Sequence, residues 1–176
     1  DSTSIRMLKD VIVKSENHLA RFHALWTLQG LNDLDSDFLF RVLKDKNVIV
    51  RITALRMLEP IAKADHKVKL QLQNYLLNAW MNAPVKEVLQ IALSAYVLDE
   101  KPSIKLLSEI INRYDSSSLM RDAVLSSLQD REFSLLQSLM ASAHWKEHKP
   151  SREIFMEMLT TAIVRKRNTT ELTELL

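Results

Sequence analysis

Glycine is almost missing from this chain, with one residue in 176 where average usage gives about a dozen. Tight turns in β-sheets need glycine at positive φ, and phosphate-binding loops need it because the backbone must approach the ligand closely. Its scarcity therefore disfavours both a β-rich fold and a nucleotide-binding loop. Proline is scarce as well, with four residues. Helices need neither residue, so the composition predicts an all-α protein.

Cysteine is absent, which excludes disulfides, thiolate zinc sites, iron–sulfur clusters and covalently attached haem. A strong charge of one sign is also lacking, because 24 basic and 22 acidic residues leave a net charge of +2. That charge gives no general attraction to nucleic acid or anionic lipid. No apolar run approaches the roughly 20 residues that span a bilayer. We therefore expect no cofactor, no membrane insertion by this segment and no nucleic-acid partner.

The chain begins at Asp1, with neither a methionine nor a signal-like segment. We interpret residues 1–176 as a single domain excised from a larger multidomain protein.

What the sequence does contain is helical periodicity, with polar breaks every 10 to 18 residues. The predicted helices span residues 4–14, 18–31, 36–44, 48–63, 67–81, 85–98, 103–113, 118–129, 131–144 and 151–167. Side-chain oxygens suited to N-caps stand at Asn17, Ser36, Asn47, Ser103 and Ser117.

Alternate segments resemble one another: ARFHALWTL (20–28), VRITALRML (50–58), VLQIALSAY (88–96) and MRDAVLSSL (120–128). Their central alanines lie 30, 38 and 31 residues apart. Small residues at these positions let helices approach closely. A period of 30 to 40 residues that holds two helices is typical of a stacked solenoid, here of about five helix pairs.

The best-defined unit, residues 35–61, resembles a HEAT repeat: a first helix ending in LKDKN, a tight turn, and a second helix opening VIVRITAL. The resemblance implies a right-handed α–α superhelix of the HEAT/armadillo type. In that family the turn aspartate and the arginine six residues later form a ladder between neighbouring repeats. The corresponding pairs are Asp45 with Arg51 and Asp115 with Arg121.

The ladder is incomplete in two repeats. The first keeps Arg21 but has Ser15 where the acid is expected, and the third has Leu89 or Gln90 where the arginine is expected. We therefore expect the ladder to be broken at the third repeat.

Three longer stretches, RFHALWTLQGL, FLFRVLKDKNVIVRITALRMLEP and MRDAVLSSLQDREFSLLQSLM, resemble a group of large bacterial cell-envelope proteins. These are described as membrane-bound dehydrogenases or haem-binding proteins, with a helical-repeat segment between a β-propeller and a cytochrome c domain. The haem motif Cys-x-x-Cys-His and the propeller are absent from this chain, so neither haem binding nor dehydrogenase activity carries over. The resemblance implies a periplasmic or envelope location, which the sequence alone does not distinguish from the cytoplasm, and a spacer or docking role between redox domains.

The stretch ARFHALWTLQGL (20–31) holds a histidine, a tryptophan and the single glycine. We interpret Trp26 as core, with ligand stacking as the alternative, and His23 as a packed or hydrogen-bonded structural residue, with a functional role as the alternative. Gly30 is predicted to end the helix in the left-handed conformation.

A metal site is the hypothesis raised by His144 and His148, four residues apart with Glu147 beside them. No third ligand is evident, and Lys146 and Lys149 disfavour a cation. We therefore favour a solvated helix end. The triplet at residues 168–170, Asn-Thr-Thr, matches a glycosylation acceptor but carries little weight without a secretory context.

Basic residues cluster near the second repeat and at residues 165–167, yet acidic residues share the first region, so we expect ordinary solvated faces. No nucleophile–base pair with a supporting context is present, which predicts a protein without enzymatic activity.

The leading hypothesis is a HEAT-like scaffold or interdomain spacer that binds a protein partner, or adjacent domains of its own chain, through exposed positions of the second helices. Arg56 and Lys63 are candidate partner-binding residues. One alternative is a nucleic-acid-binding or base-processing solenoid. Another is a segment that completes an electron-transfer enzyme and binds nothing by itself.

Overall fold

The structure, a computed structural model, describes residues 2–167 and residue 173. Ten α-helices, two short 3₁₀ helices and no strands occur in this part of the chain, which confirms the all-α prediction. The α-helices are α1 (Ser2–Lys14), α2 (His18–Gly30), α3 (Ser36–Val42), α4 (Val48–Ala64), α5 (His66–Ala79), α6 (Val85–Ser94), α7 (Glu100–Tyr114), α8 (Ser118–Ser127), α9 (Glu132–Met140) and α10 (Pro150–Lys166). The 3₁₀ helices are Ala95–Val97 and Ala143–Lys146.

Side-chain oxygens cap the beginnings of several helices. Asn17, Asn47 and Ser117 each accept a hydrogen bond from a backbone amide in the first turn, as the sequence predicts. The predicted caps Ser36 and Ser103 are wrong, because the N-cap residues of α3 and α7 are Asp35 and Asp99.

The end of α2 also differs from the prediction. Gly30 still belongs to the helix, and its φ is not positive. The left-handed residue is Asn32, at φ 57°, while the amide of Leu31 donates to the carbonyl of Thr27. Asparagine tolerates this conformation better than most side chains, so it takes the place that glycine usually has at a helix end.

The chain divides into two compact units, Asp1–Val97 and Leu98–Leu176. In the first, unit 1, α4 is the central helix: α2, α3, α5 and α6 all pack on it, and α1 packs on α2. The residues of α4 that are buried include Val50, Ala54, Leu55, Leu58 and Ala62. Alanine at two of these positions lets neighbouring helices come close, and the larger side chains fill the grooves beside them.

In the second, unit 2, α7 packs on α8 and α9, and α9 packs on α10. Leucine, isoleucine and phenylalanine side chains that are fully buried form its core: Leu106, Leu107, Ile110, Leu135, Leu139 and Phe155. Each unit therefore has a buried apolar core of its own.

None of the helices described in residues 2–167 is long and apolar enough to cross a membrane.

Candidate functional site

Arg21 of α2 ties its helix to the turn that precedes α4. The side chain is 3% exposed, and its Nε and Nη2 donate to the two carboxylate oxygens of Asp45, each at 2.8 Å. Its Nη1 donates to the carbonyl oxygen of Ser15 at 2.7 Å. A bidentate arginine–carboxylate pair is among the strongest and most directional polar contacts in proteins. This contact fixes α2 against the turn between α3 and α4.

Arg51 of α4 makes a second link of the same kind, to Glu87 of α6. Its Nε lies 3.0 Å from Glu87 Oε1, and its Nη2 donates to Glu87 Oε2 at 2.5 Å. Its Nη1 donates to the carbonyl oxygen of Asp45 at 2.8 Å. The hydrogen bond to Glu87, only partly opposed by burial, raises the pKa of Arg51 above its usual value. The link therefore holds α4 against α6.

Tyr75 of α5 adds a third side chain to this link. Its hydroxyl donates to Glu87 Oε1 at 3.1 Å. Burial, followed by the charge of Glu87, raises the pKa of Tyr75 well above its usual value, so the hydroxyl stays protonated and remains a donor. Because Glu87 is 3% exposed, these donors satisfy a carboxylate that would otherwise be costly to bury.

The predicted ladder residues of unit 1 thus take part in two different links. The carboxylate of Asp45 binds Arg21, and the guanidinium of Arg51 binds Glu87. Asp45 and Arg51 meet through the carbonyl oxygen of Asp45.

In unit 2, the structure places Asp115 and Arg121 in the same backbone relation. Arg121 Nη1 donates to the carbonyl oxygen of Asp115 at 2.7 Å. The carboxylate of Asp115 instead accepts from Lys149 Nζ at 2.7 Å and from Arg152 Nε at 2.8 Å. Burial alone would raise the pKa of Asp115, but hydrogen bonds from Lys149, Arg152 and Ser116 outweigh it and lower the pKa to about 2.

Four members of these links are not predicted from the sequence as link residues: Tyr75, Glu87, Lys149 and Arg152. The predicted register of the third repeat is also wrong. Counted from the N-cap Pro84, Val88 of α6 stands where Arg21 and Arg51 stand in α2 and α4, so the predicted arginine position at Leu89 or Gln90 is wrong by one or two residues. Aligning the helix starts, instead of the alanines, is the signal that would have given the correct register.

Three side chains of α2 form an exposed apolar edge. Leu19 is 54% exposed and Trp26 40% exposed, with the half-buried Phe22 between them. The rings of Phe22 and Trp26 meet edge to face, with centroids 6.3 Å apart. The prediction that Trp26 is a core residue is therefore wrong. His23 is exposed too, and its ring meets that of Phe22 edge to face with centroids 5.2 Å apart.

The same three positions recur on α4 and α6. They lie two, five and nine residues after the N-caps Asn17, Asn47 and Pro84. In all three helices the first and third of these positions are exposed and the second is half-buried. On α4 they are Ile49, Ile52 and Arg56, and on α6 they are Lys86, Leu89 and Leu93.

This identical burial means that the three helices turn equivalent faces to the surface. α4 packs on both α2 and α6, so the three faces belong to neighbouring helices of unit 1. We call this surface the nine-residue row; it consists of Leu19, Phe22 and Trp26, Ile49, Ile52 and Arg56, and Lys86, Leu89 and Leu93.

Of the two predicted partner-binding residues, Arg56 belongs to the nine-residue row. Lys63 lies near the end of α4, where its Nζ sits 4.3 Å from the centroid of the Tyr96 ring. Tyr96 in turn donates from its hydroxyl to Glu59 Oε2 at 3.1 Å. Lys63 therefore has a contact within the chain, whereas Arg56 faces outward.

The two histidines considered for metal binding are not arranged on one helix. His144 lies in the second 3₁₀ helix, where its Nε2 is 4.0 Å from Asp115 Oδ2. His148 lies outside that helix, with its Nδ1 3.3 Å from Glu153 Oε1. No group of three or more His, Cys, Asp or Glu side chains suited to a metal ion occurs among the described residues.

At the end of α10, Lys166 of the basic run pairs with acids of its own unit. Its Nζ lies 2.7 Å from Asp130 Oδ1 and also binds Glu132. The possible glycosylation triplet at residues 168–170 lies outside the described residues.

Comparison of the chain with protein-family models, with curated proteins and with solved structures finds no match.

Proposed function

We propose that this chain is a non-enzymatic helical-repeat scaffold that binds another protein through the nine-residue row. The observation that carries the proposal is the recurrence of one exposure pattern on α2, α4 and α6. Seven of the nine side chains are apolar, and adjoining exposed apolar side chains are typical of interaction sites.

The charged groups of unit 1 that could serve chemistry have structural partners. Arg21, Asp45, Arg51 and Glu87 are all engaged in the two links that join the helices. A side chain held in a bidentate pair is poorly placed to move protons or bind a substrate, so these residues favour architecture over catalysis. The mechanism of the scaffold is then geometric: the links fix the helices, and the fixed helices present the row.

Aromatic anchors support a protein partner. Trp26 and Phe22 offer large rigid surfaces, and tryptophan is enriched among the residues that dominate binding at protein interfaces. The right-handed superhelix is part of this proposal, as is the spacer role beside redox domains in the cell envelope that the sequence resemblance implies.

Site-specific photocrosslinking in the cells that produce the protein tests the proposal. A benzophenone amino acid replaces Trp26, and in a matched control it replaces Leu70, which is 42% exposed on α5. We expect one identified protein adduct at position 26, absent at position 70 and lost when Leu93→Asp is added.

Equal adducts at both positions, or an adduct at position 26 that Leu93→Asp leaves unchanged, would contradict the assignment of the row. An adduct with nucleic acid at position 26 would favour the alternative of a nucleic-acid-binding solenoid.

A further inference from the structure

From the charges on the nine-residue row, we propose that its partner is an acidic amphipathic helix. Its apolar face would lie on the apolar side chains of the row, and its carboxylates would meet Arg56 and Lys86. This inference rests on the proposed function and adds the chemistry of the partner to it.

The two charged side chains of the row, Arg56 and Lys86, are both positive. Arg56 is exposed nine residues after the N-cap of α4, and Lys86 is exposed two residues after the N-cap of α6. Within residues 2–167 neither side chain takes part in an ion pair. Two unpaired cations beside apolar groups favour a partner with negative charge, because complementary charges speed association and disfavour partners of the wrong sign.

The acidic side chain next to Arg56 is already occupied. Glu59 lies one turn further along α4, and its carboxylate accepts hydrogen bonds from three residues of unit 1. Oε1 accepts from Gln90 Nε2 at 3.0 Å and from Ser94 Oγ at 2.7 Å, and Oε2 accepts from Tyr96 Oη at 3.1 Å. These bonds hold the carboxylate in place within the unit, so Arg56 stays available to a partner.

The charge of unit 1 as a whole has the same sign. Residues 1–97 contain 13 basic and 10 acidic side chains. Several of the acids are paired inside the unit, among them Asp33 with Lys9 at 2.8 Å and Glu16 with Lys46. The net charge of unit 1 therefore does not repel an acidic partner.

The size of the row suits a short helix. Packed helices lie about 8–10 Å apart, so three helices packed in a row span up to about 20 Å between the outer axes. A helix rises 1.5 Å per residue, and about 14 residues cover that distance. Helices that dock on apolar surfaces do so with side chains spaced three, four and seven residues apart, which matches a row of seven apolar positions.

Fluorescence anisotropy with the full 176-residue chain tests the inference. The probe is a labelled peptide of about 18 residues, long enough to form a helix, with leucine on one face and glutamate on the other. One control peptide replaces every glutamate by lysine, and another keeps the composition but scrambles the order. We expect the acidic amphipathic peptide to bind at least about tenfold more tightly than either control, with affinity that falls as salt is added.

Paired variants locate the site. Leu93→Asp should weaken binding about tenfold, because it places a like charge among the apolar contacts, whereas Leu70→Asp, at a leucine of similar exposure on α5, should change it less than about twofold. Arg56→Glu should weaken binding about fivefold at low salt and less at high salt, and Arg6→Glu, at an exposed arginine of α1, should have little effect. Circular dichroism melting curves check that each variant is folded.

Each of the other outcomes would contradict a specific part of the inference or of the proposed function. Preference for the lysine peptide, still lost in Leu93→Asp, would refute the acidic partner and leave the protein-binding row intact. Equal binding of the scrambled peptide, equal losses in the Leu93 and Leu70 variants, or no peptide binding would overturn this inference. Binding of phosphatidylserine vesicles or duplex DNA that is lost in Leu93→Asp, without peptide binding, would overturn the proposed function as well.

Discussion

The two units use arginine in related but distinct ways. In unit 1, Arg21 and Arg51 each reach forward along the chain to a carboxylate of a later element, Asp45 or Glu87. In unit 2 the order is reversed, because the carboxylate of Asp115 is bound by Lys149 and Arg152, which follow it. What the units share is a backbone bond. Arg21, Arg51 and Arg121 each donate from Nη1 to the carbonyl oxygen six residues earlier.

The link therefore has a part that is the same in both units and a part that differs. The bond to the carbonyl oxygen depends on the turn before the helix and recurs wherever that turn and the arginine occur together. The acidic partner depends on which side chain the next element brings near, and it changes from link to link. The spacing of six residues between aspartate and arginine therefore predicts the bond to the carbonyl oxygen more easily than it predicts which carboxylate the arginine binds.

The exposed faces differ as well. At the positions of α8 that correspond to the nine-residue row, unit 2 has Leu119, Asp122 and Ser126, all exposed. One apolar residue, an acid and a hydroxyl replace the apolar and cationic side chains of unit 1. The recurring helix start is thus kept while the surface changes, and we expect partner binding in unit 1.

The largest effect on stability is expected when an arginine that binds both a carboxylate and a carbonyl oxygen is removed. Arg21→Met leaves the Asp45 carboxylate, whose side chain is 11% exposed, without its cation, and we expect a loss of about 3 kcal/mol. Arg121→Met removes one bond to a carbonyl oxygen and should cost about 1 kcal/mol. Native-state hydrogen exchange of core amides in each unit measures both values.

Arg6→Met is the control for these two variants, because Arg6 is exposed on α1, and it should change stability by less than about 0.5 kcal/mol. Equal losses of stability for Arg21→Met and Arg121→Met would contradict the claim that the bond to a carboxylate contributes more than the bond to a carbonyl oxygen.

Removing the third side chain of the Glu87 link should have an intermediate effect. Tyr75→Phe deletes the hydroxyl that donates to Glu87 and should destabilise unit 1 by about 1 kcal/mol. The same substitution made in a Glu87→Gln background should cost less, because the hydroxyl then donates to a neutral acceptor. Hydrogen exchange of α4 amides measures both, and equal losses in the two backgrounds would show that the tyrosine acts through packing.

The stability that Asp115 contributes to unit 2 through Lys149 and Arg152 should depend on pH. The pKa of Asp115 in the folded chain is lowered from 3.8 to about 2, so the link stabilises the folded state above pH 3.8 and this contribution is lost as the pH falls towards 2. Hydrogen exchange of α10 amides, corrected for the intrinsic effect of pH, should reveal the loss. Asp115→Asn should reduce the pH dependence in this range, and an unchanged pH profile in that variant would contradict the role given to the carboxylate.

The smallest stability effect is expected on the nine-residue row. Trp26→Ala removes a ring that is 40% exposed and should cost less than about 1 kcal/mol, whereas Leu28→Ala, at a fully buried position of the same helix, should cost about 3 kcal/mol. Thermal unfolding of the two variants measures the difference. A loss for Trp26→Ala as large as that for Leu28→Ala would mean that Trp26 belongs to the core after all.

The helices could be predicted from the sequence because local patterns specify them. The predicted range 18–31 lies close to His18–Gly30, and 48–63 lies close to Val48–Ala64. Caps at Asn17, Asn47 and Ser117 are confirmed because a side-chain oxygen in front of a helix acts on amides two or three residues away. The stacked superhelical arrangement stays a prediction.

The pairing of side chains could not be predicted in the same way. Glu87 meets Arg51 across 36 residues, and no local pattern connects them. The error at Trp26 has a similar origin, because a helix that is apolar on two sides is compatible both with burial on both sides and with an exposed row. Which one applies depends on the neighbouring helices.

The most direct test of the account is a nuclear magnetic resonance titration of the isotope-labelled chain with the acidic amphipathic peptide. We predict chemical-shift changes centred on the nine-residue row, including the side chains of Trp26, Ile49 and Leu93, with little change at Leu70 or Leu119. Changes centred on α5 or on unit 2, with the row unaffected, would contradict the claim that the linked helices of unit 1 present a binding surface.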